Sequence, residues 1–325
     1  MPEELLKNVY RIPIPLPGNP LRELNAYLIL GGNRNLLIDT GFRQPACREA
    51  LFAALSELGL GPGDVEVLLT HLHSDHSGLG PDAAGAHPIH ISALDMPSLS
   101  DPAYQSRHWD RITARFGEEG FPPSLLEHMW ETNPARSMAP PQGGHYVPLT
   151  DHQILEVGDY RLECLLMPGH TPGQMCFWME AQGAMFLGDH VLFDITPNIT
   201  AWPQMKDALG SYLDSLRKIR SYNVRLPLPG HRGGGDLKSR VDELLEHHRL
   251  RLEETLAVAA SHPGRPAYDL SGYLTWKIRA SSWDNFPPPQ KWFAVGECIS
   301  HLDHLVLCGA VRRELLDGKA AYFAI

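Results

Sequence analysis

Residues 65–78 read VEVLLTHLHSDHSG. The run VEVLLT (65–70) is β-rich and continuous, the pattern of a strand buried in a sheet. It delivers the chain directly into HLHSDH, three histidines and an aspartate within six residues. Imidazole nitrogen and carboxylate oxygen are suitable ligands for zinc and its borderline neighbours. Residues two apart on an extended segment share a face, so His71 and His73 can hold one ion. Asp75 and His76 fall where the chain turns away from the strand and can face a second. A histidine-rich surface turn would not sit at the end of a core strand.

Six residues cannot complete two coordination spheres, so distant partners are expected. Three candidates stand in the same local context. His170 lies in MPGHTPG after the β-run 160–167, Asp189 in FLGDH after 184–187, and His231 in LPGHR after VRLPLP. Each follows a strand signal and has a glycine before it, which lets the backbone come close to a bound ion.

Further outward, residues 24–30 (LNAYLIL) and 35–39 (NLLID) read as a hairpin around GGNRN. Residues 44–60 have helical spacing and end at glycines, and strand signals return at 87–92, 153–157, 160–167, 175–179 and 184–187. The stretch from about 95 to 142 differs, being rich in Pro, Met and aromatics. It reads as two helices, 104–116 and 124–132, inserted into a strand-rich frame. Trp109, Phe116, Phe121, Met129, Trp130 and Tyr146 are candidates for an apolar lid over the site, with internal packing of the helices as the competing reading. Residues 207–221 read as an amphipathic helix capped by Asp207, 238–260 as a long helix, and 270–280 and 289–307 as two more. The chain closes on a hairpin turning at Asp317-Gly318. Helix, helix, hairpin is the order of a winged-helix module.

The bulk numbers constrain partners. The chain has 325 residues, 43% of them hydrophobic, and a formal net charge of −10. That is enough for a large core, and the negative charge disfavours nucleic acid. No apolar run approaches the ~20 residues that span a bilayer, and the N-terminus has no secretory pattern. The five cysteines (47, 164, 176, 298 and 308) are odd in number and include no C-x-x-C, which fits a reduced, cytoplasmic compartment.

The order THLHSDHSG, PGHTPG, GD, GH resembles the metallo-β-lactamase superfamily. The likeness covers 20–235, including DTG at 39–41. It implies an α/β fold, an αββα sandwich with metals at one edge. It further implies that His71, His73 and His170 hold one ion, that Asp75, His76 and His231 hold the other, and that Asp189 bridges them. Asp39 would orient a ligand histidine. Within the superfamily the spacing is similar to the hydroxyacylglutathione hydrolase and ribonuclease Z side. The tail resembles that of the subgroup containing lactamase-β-like protein 2. The expected division is 1–240 as the catalytic domain, with the insertion at about 95–142, and 241–325 as a connecting helix and winged-helix-like domain. His190 departs from the pattern, since relatives carry a small residue after the bridging Asp, and it becomes a candidate neighbour of the site. The insertion also lacks the Arg/Lys cluster that would hold glutathione.

The function so implied is a metal-dependent hydrolase using a dinuclear metal-bridged hydroxide, with two divalent ions per chain, zinc first and iron or manganese as alternatives. Asp75 is the candidate to orient the nucleophile and carry its proton. A small ester, thioester or lactone is the first substrate reading, and a phosphodiesterase cutting single-stranded RNA the alternative. Residues 241–325 hold nine Lys+Arg and eleven Asp+Glu, whereas a nucleic-acid grip is normally basic. The tail therefore reads as a packing or dimerisation module, with a homodimer as candidate assembly. An iron site for oxygen or sulfur chemistry, or a non-catalytic binding protein, would lack some of the ligands this chain has.

Overall fold

The computed structural model describes residues 1–277 and 280–325. Its first sheet runs β1 (Glu3–Leu6), β2 (Val9–Pro15), β3 (Glu23–Leu30), β4 (Asn35–Ile38), β5 (Glu66–Leu68), β6 (Ile89–Ser92) and β7 (Tyr146–Leu149) in that spatial order. The pairings are antiparallel as far as β4 and parallel from β4 to β7. The second sheet holds β8 (Ile154–Val157), β9 (Tyr160–Leu166), β10 (Met175–Met179), β11 (Ala184–Gly188) and β12 (Leu226–Pro229), ordered β12-β11-β10-β9-β8. Only its β11–β12 pair is parallel.

Between the sheets lies one apolar layer, including Ile29, Ile38, Leu68, Phe177, Met179 and Phe186. The outer face of the first sheet is covered by α1 (Pro45–Glu57) and the short helices α2 (Ser74–Ser77), α3 (Gly80–Ala84) and α4 (Pro97–Ser100). Two longer insertion helices, α5 (Pro102–Glu118) and α6 (Pro123–Thr132), follow, with the single turn α7 (Pro134–Ser137) after them. The second sheet is covered by α8 (Ala208–Ile219) and the first half of α9 (Leu237–Ser261). Both start at aspartates whose carboxylates accept backbone N–H groups. Asp207 takes Gly210 N and Asp236 takes Ser239 N, each at 2.7 Å, which satisfies donors the helix itself leaves open. This is the αββα sandwich.

The tail continues with α10 (Ala267–Ser271), α11 (Pro288–Leu307) and the hairpin β13 (Val311–Leu316) with β14 (Lys319–Ala324). The hairpin turns at Asp317 and Gly318, both at positive φ, the geometry that favours this dipeptide.

Two expectations need correcting. The helix expected over 270–280 stops at Ser271, and the expected range includes 278–279, outside the described residues. Thr275 N is instead taken by the Glu254 carboxylate, and the Trp276 indole N–H by Ser271 O. The lid reading also fails for several residues. Phe116 and Phe121 are buried in a core shared with the tail, together with Leu270, Val295, Ile299 and Tyr322. Phe116 stacks on Trp292 of α11 with centroids 4.0 Å apart. Met129 is buried in α6, and Tyr146 packs against the outer core of the first sheet. Trp109 and Trp130 pack on each other, and the Trp130 N–H donates to Thr113 Oγ1. These rings go to internal packing because a short helix pair has no other core of its own.

Candidate metal centre

The cluster forms where strand ends from both sheets meet. β4 ends just before Asp39, β5 leads through Thr70 into His71, the loop after β9 carries His170, β11 ends beside Asp189, and β12 leads to His231. All are buried. His71 Nε2 and His170 Nε2 each lie 3.0 Å from His73 Nδ1. His76 Nε2 lies 3.3 Å from His231 Nε2, and His231 Nε2 is 3.4 Å from Asp75 Oδ2. Asp189 sits between the two groups. Its Oδ1 is 3.4 Å from His76 Nε2 and 3.5 Å from His231 Nε2, and its Oδ2 is 3.7 Å from His170 Nε2. Four nitrogens bound tetrahedrally at ~2.0–2.1 Å from zinc would be roughly 3.3 Å apart, so the two groups have the span a metal requires. Asp189 Oδ1 is buried without a hydrogen-bond donor, a costly arrangement for a carboxylate oxygen unless a cation meets it.

The far side of four of the five rings is fixed. His71 Nδ1 donates to Thr70 Oγ1 (3.0 Å), His76 Nδ1 to Asp39 Oδ2 (2.7 Å), His170 Nδ1 to Asn198 O (3.0 Å) and His231 Nδ1 to Glu23 O (2.7 Å). Each bond selects the tautomer that turns the Nε2 lone pair into the cluster. Asp39, at φ 57°, also accepts Thr70 N (2.9 Å) and Thr70 Oγ1 (2.8 Å), so one carboxylate orients both ends of the β5 exit.

Electrostatics divide the site. Burial, reinforced by neighbouring imidazoles, holds His71 well below its ordinary pKa, and burial with His170 beside it takes His73 to about 3. These rings are neutral donors at pH 7. Burial also opposes charge on His76, but Asp39, Asp189 and Asp75 outweigh it and raise that ring well above its usual value. The field there favours positive charge. Burial resists ionisation of Asp75 too, yet His76 and His231 bring it down to about 2.

His190 does not join the cluster. Its ring lies edge-on to Tyr212 of α8, with centroids 5.4 Å apart, and Tyr212 Oη donates to His190 O. Burial takes its pKa to about 3, so it packs as a neutral ring on the helical side.

Several contributors lay outside the sequence reading. The buried Asp95 accepts Leu72 N (3.1 Å), Thr171 Oγ1 (2.7 Å) and Gly173 N (2.7 Å), tying the HLH and PGHTPG loops together. Trp202 donates to His170 O (3.0 Å) and stacks on His73 (6.0 Å, 27°). His108 stacks on Trp202 (5.6 Å), and Tyr104 on His108 (6.3 Å). The insertion therefore reaches the site through α5, by residues other than the proposed lid. Asp95 follows a strand as the other acids do, a signal that was available; nothing in ITAWPQ marked Trp202.

This fold with this cluster defines a metal-dependent hydrolase. The chain belongs to the metallo-beta-lactamase superfamily, whose model matches residues 20–231. It is similar to the lactamase-like protein adaB of Aspergillus niger, 26% identical over 334 residues, covering 90% of this chain and 88% of that protein. It is also similar to the lactamase-like protein nscB of Neosartorya fischeri, 27% identical over 251 residues. There the match covers 75% of this chain and only 60% of the relative's length. Among solved structures, a metallo-beta-lactamase family protein from Thermus thermophilus matches with a TM-score of 0.82 and 31% identity, over 99% of this chain and 100% of that one. A beta-lactamase domain protein from Burkholderia ambifaria matches with a TM-score of 0.83 and 24% identity, over 100% and 94%. These relatives carry lactamase-like names, so the hydroxyacylglutathione hydrolase subgroup and the winged-helix label for the tail are not carried over.

Proposed function

We propose that the chain hydrolyses a small ester, thioester or lactone with two divalent ions, zinc in the first place. The observation that carries this reading is the division of Asp189, whose two carboxylate oxygens face two separate ligand groups. His71, His73 and His170 would hold one ion, Asp75, His76 and His231 the other, and Asp189 would touch both. Such ions, when bound, would lower the pKa of bound water to near neutrality and polarise a carbonyl oxygen. The chain's own part is orientation and proton handling. Asp75 is ionised at neutral pH and its Oδ2 lies toward His231 inside the cluster, where it would orient the attacking water and pass its proton on. Asp39 and Thr70 keep His71 and His76 in register while charge develops.

The aromatic column of Trp202, His108 and Tyr104 beside His73 offers a flat, partly apolar wall. It suits an acyl group better than a phosphate backbone. The tail's balance of nine basic against eleven acidic residues also speaks against RNA.

The test is elemental analysis of the purified chain beside His170→Ala and His231→Ala, followed by assays with ester, thioester, lactone and bis-p-nitrophenyl phosphate. About two equivalents of metal, reduced in each variant, with turnover of an acyl substrate, is the expected result. One equivalent of iron, unaffected by His231→Ala, would overturn it. Preferred turnover of the phosphodiester would move the assignment to the nuclease reading.

A further inference from the structure

The ligand histidines are not anchored alike. His71, His76 and His231 lean on Thr70, Asp39 and Glu23, all within the sandwich. His170 leans on Asn198, and Asn198 is held by the tail. Its Nδ2 donates to Phe293 O (3.3 Å) and to Glu297 Oε2 (3.4 Å), both on α11. Glu297, its side chain 13% exposed, also pairs with Arg251 of α9, Nε to Oε1 at 3.5 Å. The residue after Asn198 is held as well: Ser300 Oγ donates to Ile199 O at 2.5 Å. Gly296 allows this approach, since a Cβ there would collide with Thr200 Oγ1. Trp202, on the same segment, takes the backbone carbonyl of His170. One short segment thus fixes both the ring and the main chain of this ligand, and α11 fixes the segment.

We propose that the tail is a positioning element of the metal centre: through Glu297 and Asn198, α11 sets the orientation of His170 and so the affinity of the ion that His71, His73 and His170 would share. This rests on the two-ion reading above. Asn198 and Glu297 touch neither substrate nor ion; they act through the hydrogen bond that His170 Nδ1 donates to Asn198 O. His76 and His231, at the other ion, are anchored on Asp39 and Glu23 instead.

The experiment uses the full chain loaded with zinc and titrated with a chromogenic chelator, beside Asn198→Ala, Glu297→Ala and Glu297→Gln. Cobalt-substituted samples give a second, spectroscopic readout. In Asn198→Ala and Glu297→Ala, one of the two ions should loosen about 10–100-fold while the other holds its parental affinity. Glu297→Gln keeps an oxygen able to accept the Asn198 amide and should restore tight binding. The cobalt d–d bands should change for one ion only. Parental affinity for both ions in Asn198→Ala would overturn the proposal. So would equal loosening of both ions accompanied by a lower melting temperature, which is what a merely structural role predicts. A parent chain that binds no zinc would fail the two-ion reading itself, and is told apart because it needs no variant.

Discussion

Gly230 leaves the room in which Asp189 and His76 approach each other. A Cβ at this position would lie 2.7 Å from Asp189 Oδ1 and 2.9 Å from His76 Cε1, closer than such atoms pack. Gly230→Ala should therefore displace the carboxylate that faces both ligand groups while leaving the strands intact. Metal affinity and kcat/KM should each fall at least about 10-fold, with an unchanged far-ultraviolet circular dichroism spectrum. Retention of both values would mean that the site yields by several tenths of an ångström without penalty. The glycine was legible in LPGH, as was the one before His170. What each makes room for was not: at Gly169 the obstacle is the Cβ and backbone of Tyr212 in α8, at Gly230 a ligand. The same limit hid what Thr70 does, and what Asp95 does despite its visible place after a strand. Their roles are bonds to Asp39, Thr171 and Gly173, and no spacing along the chain encodes those.

At the scale of elements, the strands that deliver the cluster are joined across β4, β5 and β6 by polar side chains. The Arg34 guanidinium lies 2.7 Å from Glu66 Oε2, and His90 Nε2 is also 2.7 Å from that oxygen. Partial burial pushes the Glu66 pKa up, but Arg34 and His90 outweigh it and hold it below the usual carboxylate range. A depressed folded-state pKa stabilises the fold above the unfolded pKa, and that contribution is lost as pH falls through the folded value. Glu66→Gln should therefore cost up to about 1 kcal/mol at pH 7, and the difference from the parent should vanish in acid, below the folded-state pKa of Glu66. Urea unfolding of both proteins at the two pH values measures this. A gap that widened in acid would reverse the assigned sign. β5, β11 and β12 were readable because their β-runs led into a ligand, whereas β7 led into none and went unread. β2 was not, because PIPLP lowers every strand signal. Its prolines are tolerated since β1 pairs only with residues 9–11, leaving Pro13 and Pro15 beyond that edge. The helix expected over 270–280 failed for a tertiary reason. Arg251 lies over the Trp276 ring and Glu254 takes Thr275 N, contacts with α9 that sequence periodicity does not record.

At the scale of the whole molecule, the boundary expected near residue 240 cuts through a helix that serves two cores. Leu237, Val241 and Leu244 of α9 pack under the second sheet, whereas Ala259 packs with the tail. The insertion belongs to that second core, and polar contacts seal it. Glu119 is fully buried and accepts from Tyr322 Oη (2.9 Å), Arg313 (3.1 Å) and Arg115 (2.9 Å), while Arg115 also meets Asp303 at 2.7 Å. A buried charge with this many partners makes separation of insertion and tail costly. The aromatic residues between 104 and 130 were correctly seen as a hydrophobic set, but sequence alone could not say which partner would cover them. Phe116 decides between the two roles. As a core residue stacked on Trp292, its replacement by Ala should cost about 3–5 kcal/mol, lowering the melting temperature by roughly 5–10 °C. KM for whichever acyl substrate is turned over should stay near the parental value, because Tyr104 and His108, not Phe116, form the aromatic column on Trp202. Calorimetry should show insertion and tail unfolding in one transition, since each lacks a core without the other. A raised KM at an unchanged melting temperature would instead return Phe116 to the lid, and with it the view that the insertion exists to cover substrate rather than to join the tail to the metal centre.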